Sequence, residues 1–146
     1  MKTTEQRFWD NIGPHSDPNA CWLWVGRTVK NGNILRYGAL GVSEVKDKYV
    51  RAHRYAYELL VGPIPEGITI DHVKSRGCTS TLCVNPAHLE PVTMRVNLLR
   101  GNGYFAVNAR KTHCPQGHKY DTTYIDKSEI SHRRCSVCTK NRRLNA

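Results

Sequence analysis

The chain has 146 residues, 39% of them hydrophobic, which is enough for one domain with at most a small appendage. Its formal charge is +10: residues 94–146 hold 11 basic and 3 acidic side chains, whereas residues 1–93 hold 11 and 9. This excess indicates a polyanionic partner such as DNA or RNA, although a solvated basic tail would carry the same charge. Apolar runs are too short to span a membrane and the N-terminus shows no secretory signal, so a cytoplasmic protein is expected.

The N-terminal half predicts one short helix followed by β-structure. Residues 4–12 place their large apolar side chains on one helical face. Residues 21–42 alternate apolar and polar side chains between glycines, which predicts strands and hairpins, and 47–53 predict a further strand. A short helix is expected over 54–62, where Gly62 ends it.

The middle of the chain is interpreted as strand, irregular loop and helix. The segment ITIDH, residues 68–72, is a β-type run, and 73–91 are rich in turn formers and are expected to lack regular structure. Residues 93–101 predict a helix with Thr93 as its N-cap and Gly101 as its stop.

A Cys/His cluster lies near the C-terminus. Cys114 and His118 form a Cys-x3-His loop, and Cys135 and Cys138 form a Cys-x2-Cys pair. Four ligands at such spacing are typical of a structural, tetrahedral Zn²⁺ site, and the alternative is free thiols in a basic tail.

The other three cysteines suggest a second zinc site. Cys78 and Cys83 are five residues apart, and His88 follows five residues later. With Cys21 they form a Cys3His set that would tie an early strand to the loop after residue 72. The alternative is a buried Cys21 and a merely packed His88. Two zinc ions per chain would use every cysteine and support a small core.

Asp71, His72 and Asn97 suggest phosphodiester chemistry. A neutral imidazole is suited to act as a base near pH 7, and hydrolysis of a phosphodiester also needs a cation that stabilises developing charge. A carboxylate and an amide oxygen are ligands for Mg²⁺, or for Mn²⁺ in its place. An Asp-His dipeptide alone is weak evidence for a nuclease. Together with the zinc-type Cys/His spacing that follows and an asparagine in the next helix, it becomes a specific indication.

The stretch from Arg51 to Gly101, with CVNPAHLE as its most specific phrase, closely resembles the HNH endonucleases common in bacteriophages. The series Cys78, Cys83, His88, Asn97 also resembles the His-Cys box homing endonucleases, which share the ββα-metal fold. The C-terminal cluster resembles the second zinc site of that group. The resemblance implies an α+β, zinc-stapled ββα-metal nuclease fold, with a core over 1–101, an antiparallel DNA-binding sheet, few short helices, and a zinc-binding extension over 102–146.

The resemblance also implies roles. His72 would be the general base, Asn97 a metal ligand on the helix, and Asp71 the acidic metal ligand. Arg54, or Arg51 in the same RAHR motif, would lie near the scissile phosphate, unless Arg54 only braces its helix. His88 stands where many HNH proteins have asparagine. It is assigned to zinc, and it would instead be a candidate active-site residue if Cys78 and Cys83 bind no metal. Asn85 matches a structural asparagine.

These features predict a metal-dependent DNA endonuclease with one divalent metal per site, of homing or restriction type. The alternatives are a non-catalytic zinc-containing DNA-binding regulator and an RNA-processing nuclease. The partner is double-stranded DNA, the compartment is the bacterial host cytoplasm, and a nicking monomer and a homodimer both stay open. Basic residues of the predicted hairpins are candidate DNA contacts: Arg27, Lys30, Arg36, Lys46, Lys48 and Arg51. Others are candidate phosphate contacts: Arg95, Arg100, Arg110, Lys111, Arg142 and Arg143.

Overall fold

A computed structural model describes residues 2–31, 35–42 and 48–144, and the chain forms two compact units, Met1–Asn97 and Leu98–Ala146. Unit 1 contains the following elements: α1 (Thr4–Asp10), β1 (Thr28–Asn31), β2 (Leu35–Gly41), β3 (Tyr49–Arg51), α2 (Ala52–Leu60), β4 (Ile68–His72), 3₁₀ helices over Lys74–Arg76 and Pro86–His88, and β5 (Leu89–Thr93). Helix α3 (Met94–Arg100) follows, and unit 2 contains α4 (Tyr104–Arg110), β6 (Thr122–Ile125), β7 (Ser131–Arg134) and α5 (Ser136–Leu144). The predicted α+β class, with antiparallel strands and short helices, is confirmed.

The hydrophobic core of unit 1 joins α1, β2 and α2. Helix α1 begins with a capping box, in which the Thr3 hydroxyl accepts from the backbone of Gln6 and the Gln6 side chain accepts from Thr3. Its buried Phe8 packs against Trp24, with ring centroids 6.0 Å apart. The predicted helix over 4–12 is confirmed in its first seven residues and ends at Asp10.

Strands β1, β2 and β3 form an antiparallel sheet that packs on the same core. Gly38 of β2 permits this approach, because a Cβ atom there would lie 2.7 Å from the Trp24 ring. The predicted strand over 47–53 is wrong at its end. The strand stops at Arg51, and α2 begins at Ala52 because Ala52 and Ala56 share the buried helical face.

Strands β4 and β5 pair antiparallel and lead directly into α3, which gives the order ββα. β5 was expected to be irregular, and this prediction is wrong. Pro91 cannot donate a ladder hydrogen bond, but the sheet has only two strands and proline is tolerated at an edge. The predicted cap of α3 is confirmed, since the Thr93 hydroxyl accepts from the backbone N–H of Val96 at 3.3 Å.

Unit 2 is a β-hairpin with flanking short helices. β6 pairs with β7, and α5 follows the hairpin directly. The Arg133 guanidinium donates to the carbonyl oxygens of Asn108, Ala109 and Lys111 at the C-terminal end of α4, where helices leave unpaired acceptors. Among the described residues, no helix has the length and apolar character that crossing a membrane requires.

Candidate active site and metal centres

The first Cys/His cluster is assembled by strand-like pairing between two distant segments. The N–H of Trp24 donates to the carbonyl of Leu82 at 2.9 Å, and the N–H of Val84 donates to the carbonyl of Trp22 at 2.8 Å. Leu23 and Cys83 form an antiparallel bridge between these bonds. This pairing carries the preceding Cys21 to the loop that holds the other three ligands.

The ligand atoms of Cys21, Cys78, Cys83 and His88 all lie within 4.8 Å of one another. His88 Nδ1 is 3.6 Å from the Cys21 sulfur and 3.5 Å from the Cys83 sulfur. Zinc bonds of about 2.3 Å to sulfur and 2.1 Å to nitrogen give tetrahedron edges of about 3.6 Å. The cluster therefore has the size of a zinc tetrahedron.

A second layer of contacts orients the first cluster. His88 Nε2 donates to the carbonyl oxygen of Asn19 at 3.0 Å, which leaves Nδ1 as the ligand nitrogen. The buried Asn85 side chain donates to the carbonyl oxygens of Pro18 and Ala20, each at 2.7 Å. Asn85 thus joins the loop before Cys21 to the loop that carries His88, and its role is structural.

The thiols of this cluster differ in acidity. Burial acts to raise the pKa of Cys21, but hydrogen bonds from the backbone and hydroxyl of Thr79, with smaller ones from Cys83 and His88, lower it to about 6. Burial raises the pKa of Cys83 and of Cys78. Metal binding would release the thiol protons, and a divalent cation would offset two of the three negative charges of the clustered thiolates.

The second cluster, Cys114, His118, Cys135 and Cys138, also has all its ligand atoms within 4.8 Å. The Cys114 and Cys138 sulfurs are 3.7 Å apart, too far for a disulfide, and His118 Nδ1 is 3.3 Å from the Cys138 sulfur. Gly117 makes the tight Cys114–His118 turn possible with a φ of 82°, which favours glycine. The chemistry and spacing of these donors fit a closed zinc site.

His72 is the last residue of β4 and is half-buried. Its Nε2 lies 3.0 Å from the carbonyl oxygen of Cys83. Because a carbonyl only accepts, Nε2 carries the hydrogen and Nδ1 of the neutral ring keeps its lone pair. Burial lowers the pKa of His72, against smaller opposite effects of the Cys83 carbonyl and Asp71.

Two aromatic side chains that the sequence did not single out lie against His72. The His53 ring centroid is 4.9 Å from that of His72, and the Tyr37 centroid is 6.2 Å from it. Burial, together with the neighbouring His72 and arginines, lowers the pKa of His53 to about 3. A signal existed for His53, since it stands in the RAHR motif beside the alanines of the buried face of α2.

Asp71 and Asn97 are both half-buried and lie on the ββα elements. Asp71 precedes His72 at the end of β4, and Asn97 is the fourth residue of α3. Glu90 of β5 is the register partner of Asp71, so the two carboxylates share one face of the sheet. Glu90 also pairs with Arg76 at 3.8 Å. These are oxygen donors of the kind that Mg²⁺ prefers.

The two arginines of the RAHR motif have different surroundings. Arg54 donates to the carbonyl oxygen of Ile68 at 3.0 Å and so braces α2 against the start of β4. The Arg51 guanidinium lies 5.3 Å from the Tyr37 ring centroid, and its NH1 is buried without a hydrogen-bond partner. One N–H group of Arg51 is therefore buried without an acceptor among the described residues.

The predicted DNA contacts of unit 1 lie on and beside the three-stranded sheet. Lys30 and Arg36 are exposed and directly paired between β1 and β2. Like charges in this position destabilise a strand pair, and an anionic partner would relieve the repulsion. Arg27 lies 5.9 Å from the ring centroid of a tyrosine in β3. Lys48 is exposed, whereas Lys46 lies outside the described residues.

Basic residues of unit 2 have different surroundings. Arg110 donates to the carbonyl oxygens of Leu99 and Gly101, and Arg133 ends α4 as described above. Arg134 lies 4.1 Å from the ring centroid of Tyr124 beside an open groove of about 740 Å³. The following side chains of unit 2 are also exposed: Arg100, Lys111, Lys140, Arg142 and Arg143, as is Arg95 of unit 1.

Residues 50–99, which include β4, β5 and most of α3, match a family model described as HNH endonuclease. An uncharacterized gene 5.3 protein of Enterobacteria phage T3 is 28% identical over 88 residues, which cover 60% of this chain and 83% of the phage protein. No solved structure gives a significant match. The resemblance to HNH endonucleases that the sequence predicts is confirmed over this segment.

Proposed function

We propose that the protein is a metal-dependent DNA endonuclease with His72 as its general base, and the match of residues 50–99 to an HNH endonuclease family model supports this. The observation that carries this proposal is the hydrogen bond between His72 Nε2 and the Cys83 carbonyl, at 3.0 Å. It leaves Nδ1 free to accept a proton from water. It also ties the base to the backbone of a zinc-cluster residue, so that a structural centre supports a catalytic one.

Asp71 and Asn97 are the residues proposed to hold a divalent metal. Such a metal, Mg²⁺ or Mn²⁺, stabilises negative charge on the phosphate and the leaving oxygen. Asp71 contributes a carboxylate at the end of β4, and Asn97 contributes an amide from α3. One metal per site and a single histidine base are sufficient for hydrolysis with a 5′-phosphate and a 3′-hydroxyl as products.

Of the two arginines proposed near the scissile phosphate, Arg51 has the stronger support. Its NH1 has no partner, whereas Arg54 already donates to Ile68. A buried N–H without an acceptor is costly, and a DNA phosphate oxygen would accept from it and compensate the charge of the arginine. The role of Arg54 is then to hold α2 on β4, which positions the residues between them.

DNA binding is proposed to use the sheet of unit 1 and the basic surface of unit 2. A two-stranded antiparallel ribbon such as β1–β2 fits the major groove, where it reads base edges. We propose a site-specific enzyme of homing or restriction type, and the similarity to a phage protein supports action in the cytoplasm of a phage-infected bacterium. The unit 2 cations would contact phosphates without reading sequence. A nicking monomer and a double-strand-cutting homodimer are both compatible with this arrangement.

The direct test is incubation of the purified protein with supercoiled plasmid and Mg²⁺, with an EDTA-treated sample as control. We expect conversion to nicked or linear DNA only with the metal, and the order of these products over time distinguishes nicking from double-strand cleavage. Tight DNA binding without any cleavage in Mg²⁺ or Mn²⁺ would instead identify a zinc-containing regulator. Cleavage of RNA but not DNA would identify an RNA-processing nuclease.

The zinc content is the first quantitative prediction. Because both clusters have the donors and edge lengths of closed tetrahedral sites, elemental analysis should find about two zinc ions per chain. The measurement is made on protein washed with EDTA under native conditions, which removes weakly bound Mg²⁺. A value near one would show that one cluster does not bind zinc. A Cys78→Ser variant, which lacks one ligand of the first cluster only, then shows which cluster keeps its metal.

DNA affinity should depend strongly on salt. If about six cations contact phosphates, affinity should fall by about 10³-fold between roughly 50 and 200 mM salt. Replacing Lys140, Arg142 and Arg143 together by alanine should lower the slope of log affinity against log salt by about three, close to one per lost contact. Asn141→Ala, a neutral change on the same helix, is the matched control. An unchanged slope in the triple variant would exclude α5 from the DNA interface.

A further inference from the structure

His53 is buried on α2 and is only 6% exposed. Its Nδ1 is buried without a hydrogen-bond partner. A buried polar atom in this state destabilises a fold, whereas an aliphatic side chain would fill the space without that cost. Stability alone therefore does not explain a histidine here. Compared with an aliphatic side chain, imidazole provides a flat ring, and it is the smallest aromatic ring among the side chains.

The flat ring of His53 lies against the ring of His72. Their centroids are 4.9 Å apart with an interplanar angle of 55°, and the Tyr37 centroid is 5.4 Å from His53 and 6.2 Å from His72. The three rings come from three different elements, α2, β4 and β2. His72 is thus in contact with an aromatic surface that the rest of unit 1 holds in place.

This surface supplies a restraint that the hydrogen bond of His72 does not. The contact of Nε2 with the Cys83 carbonyl fixes one atom of the ring. Held covalently at Cγ and by this hydrogen bond at Nε2, the ring can still turn about the line through these two atoms, and this motion displaces Nδ1. Rings packed against its side remove that freedom, because close-packed atoms in a protein interior leave little room for rotation.

We propose that His53 is a positioning residue that acts through His72. Resting on the proposed function, the inference is that His53, assisted by Tyr37, holds the His72 ring so that Nδ1 faces the attacking water. His53 itself neither contacts DNA nor transfers a proton in this scheme. The flat ring of His53, and not its nitrogen atoms, holds the His72 ring in place.

Three substitutions at position 53 separate the ring from the nitrogen. His53→Ala should lower the cleavage rate of bound DNA by about 10²-fold, the effect expected of a misplaced catalytic group, with DNA affinity unchanged. His53→Asn keeps a polar atom but no ring and should be as slow as His53→Ala. His53→Phe keeps an oversized ring and should recover part of the rate. A fast Asn variant with a slow Phe variant would overturn the proposal.

Tyr55→Ala is the matched control, because Tyr55 is on the same helix but packs against Phe8, with centroids 5.2 Å apart. It should lower the melting temperature without changing the cleavage rate below the transition. A positioning residue also has no effect once its target is gone. His53→Ala should therefore cause no further loss of rate in a His72→Ala background, and an additive loss would contradict the proposal.

Histidine-ring NMR tests the positioning without relying on catalysis. Long-range ¹H–¹⁵N spectra of the wild type should show His72 as a single tautomer with its hydrogen on Nε2. In His53→Ala the His72 ring signals should shift and broaden, because the ring is then free to move. If the wild type never cuts DNA but the spectra change in this way, the proposed function fails and the positioning role stands. Unchanged His72 signals together with wild-type cleavage by His53→Ala would refute the positioning role.

Discussion

Replacing His72 by alanine is expected to lower the DNA-cleavage rate by about 10² to 10⁴-fold, the usual contribution of a general base. DNA affinity should stay close to that of the wild type, because the neutral imidazole adds no charge to the binding surface. The measurement is single-turnover cleavage of a radiolabelled duplex at saturating protein, with affinity measured separately in Ca²⁺. Because the Nε2 bond to Cys83 is lost as well, zinc content is measured on the same sample.

Asp71→Ala and Asn97→Ala should show a different defect. Both remove a proposed metal ligand and leave the base in place, so raising Mg²⁺ or substituting Mn²⁺ should recover part of the rate. The metal should not rescue His72→Ala in the same way. His113→Ala, which removes an exposed histidine of unit 2, is the control for general loss of imidazole. Wild-type cleavage by His72→Ala, with zinc and fold intact, would contradict the assignment of the base.

The sequence predicted those parts of the site that depend on short-range spacing. The second cluster lies within 25 residues as two short chelating loops, and its ligand atoms are together in the structure. Strand β4 and the Thr93 cap of α3 follow from local patterns in the same way. Such features need only a few consecutive residues, and local preferences are enough to specify them.

Features that depend on tertiary pairing were harder to predict. The sequence assigns Cys21 to the first cluster only because it is the remaining cysteine beside Cys78, Cys83 and His88, and the pairing that brings it there is visible only in the fold. Strand β5 was missed because its Glu90 and Pro91 resemble a turn, while its strand character depends on pairing with β4. The helices and hairpin of unit 2 were not predicted, since short polar segments show no clear periodicity.

The aromatic contacts of His72 illustrate the same limit. Tyr37 and His53 are far from His72 in sequence and come together through the packing of β2, α2 and β4. The RAHR motif points to His53 itself, but no motif marks its contact with His72, because that contact depends on the relative placement of three elements. Arg54 is similar, since its hydrogen bond to Ile68 becomes apparent only when α2 packs against β4.

Removing one cysteine ligand from each cluster in turn should unfold one unit at a time. Structural zinc contributes about 10 kcal/mol or more in small domains, which is comparable to the whole stability of a typical domain, 5–15 kcal/mol. Because each cluster lies entirely within one unit, Cys83→Ser should lose hydrogen-exchange protection across unit 1 and Cys135→Ser across unit 2. Ser75→Ala and Gln116→Ala, exposed changes beside the clusters, are the matched controls.

The catalytic consequences of these two substitutions should also differ. Cys83→Ser removes the support of His72, so cleavage should be lost together with protection in unit 1. Cys135→Ser leaves the His72 site intact and should mainly weaken DNA binding, which raises KM at a nearly unchanged cleavage rate. Region-resolved hydrogen exchange shows which unit loses protection in each variant, and single-turnover cleavage of the same preparations shows whether the cleavage rate or only DNA binding is affected. Loss of protection across the whole chain in either variant would show that the units do not fold independently, and unchanged protection in both would exclude structural zinc.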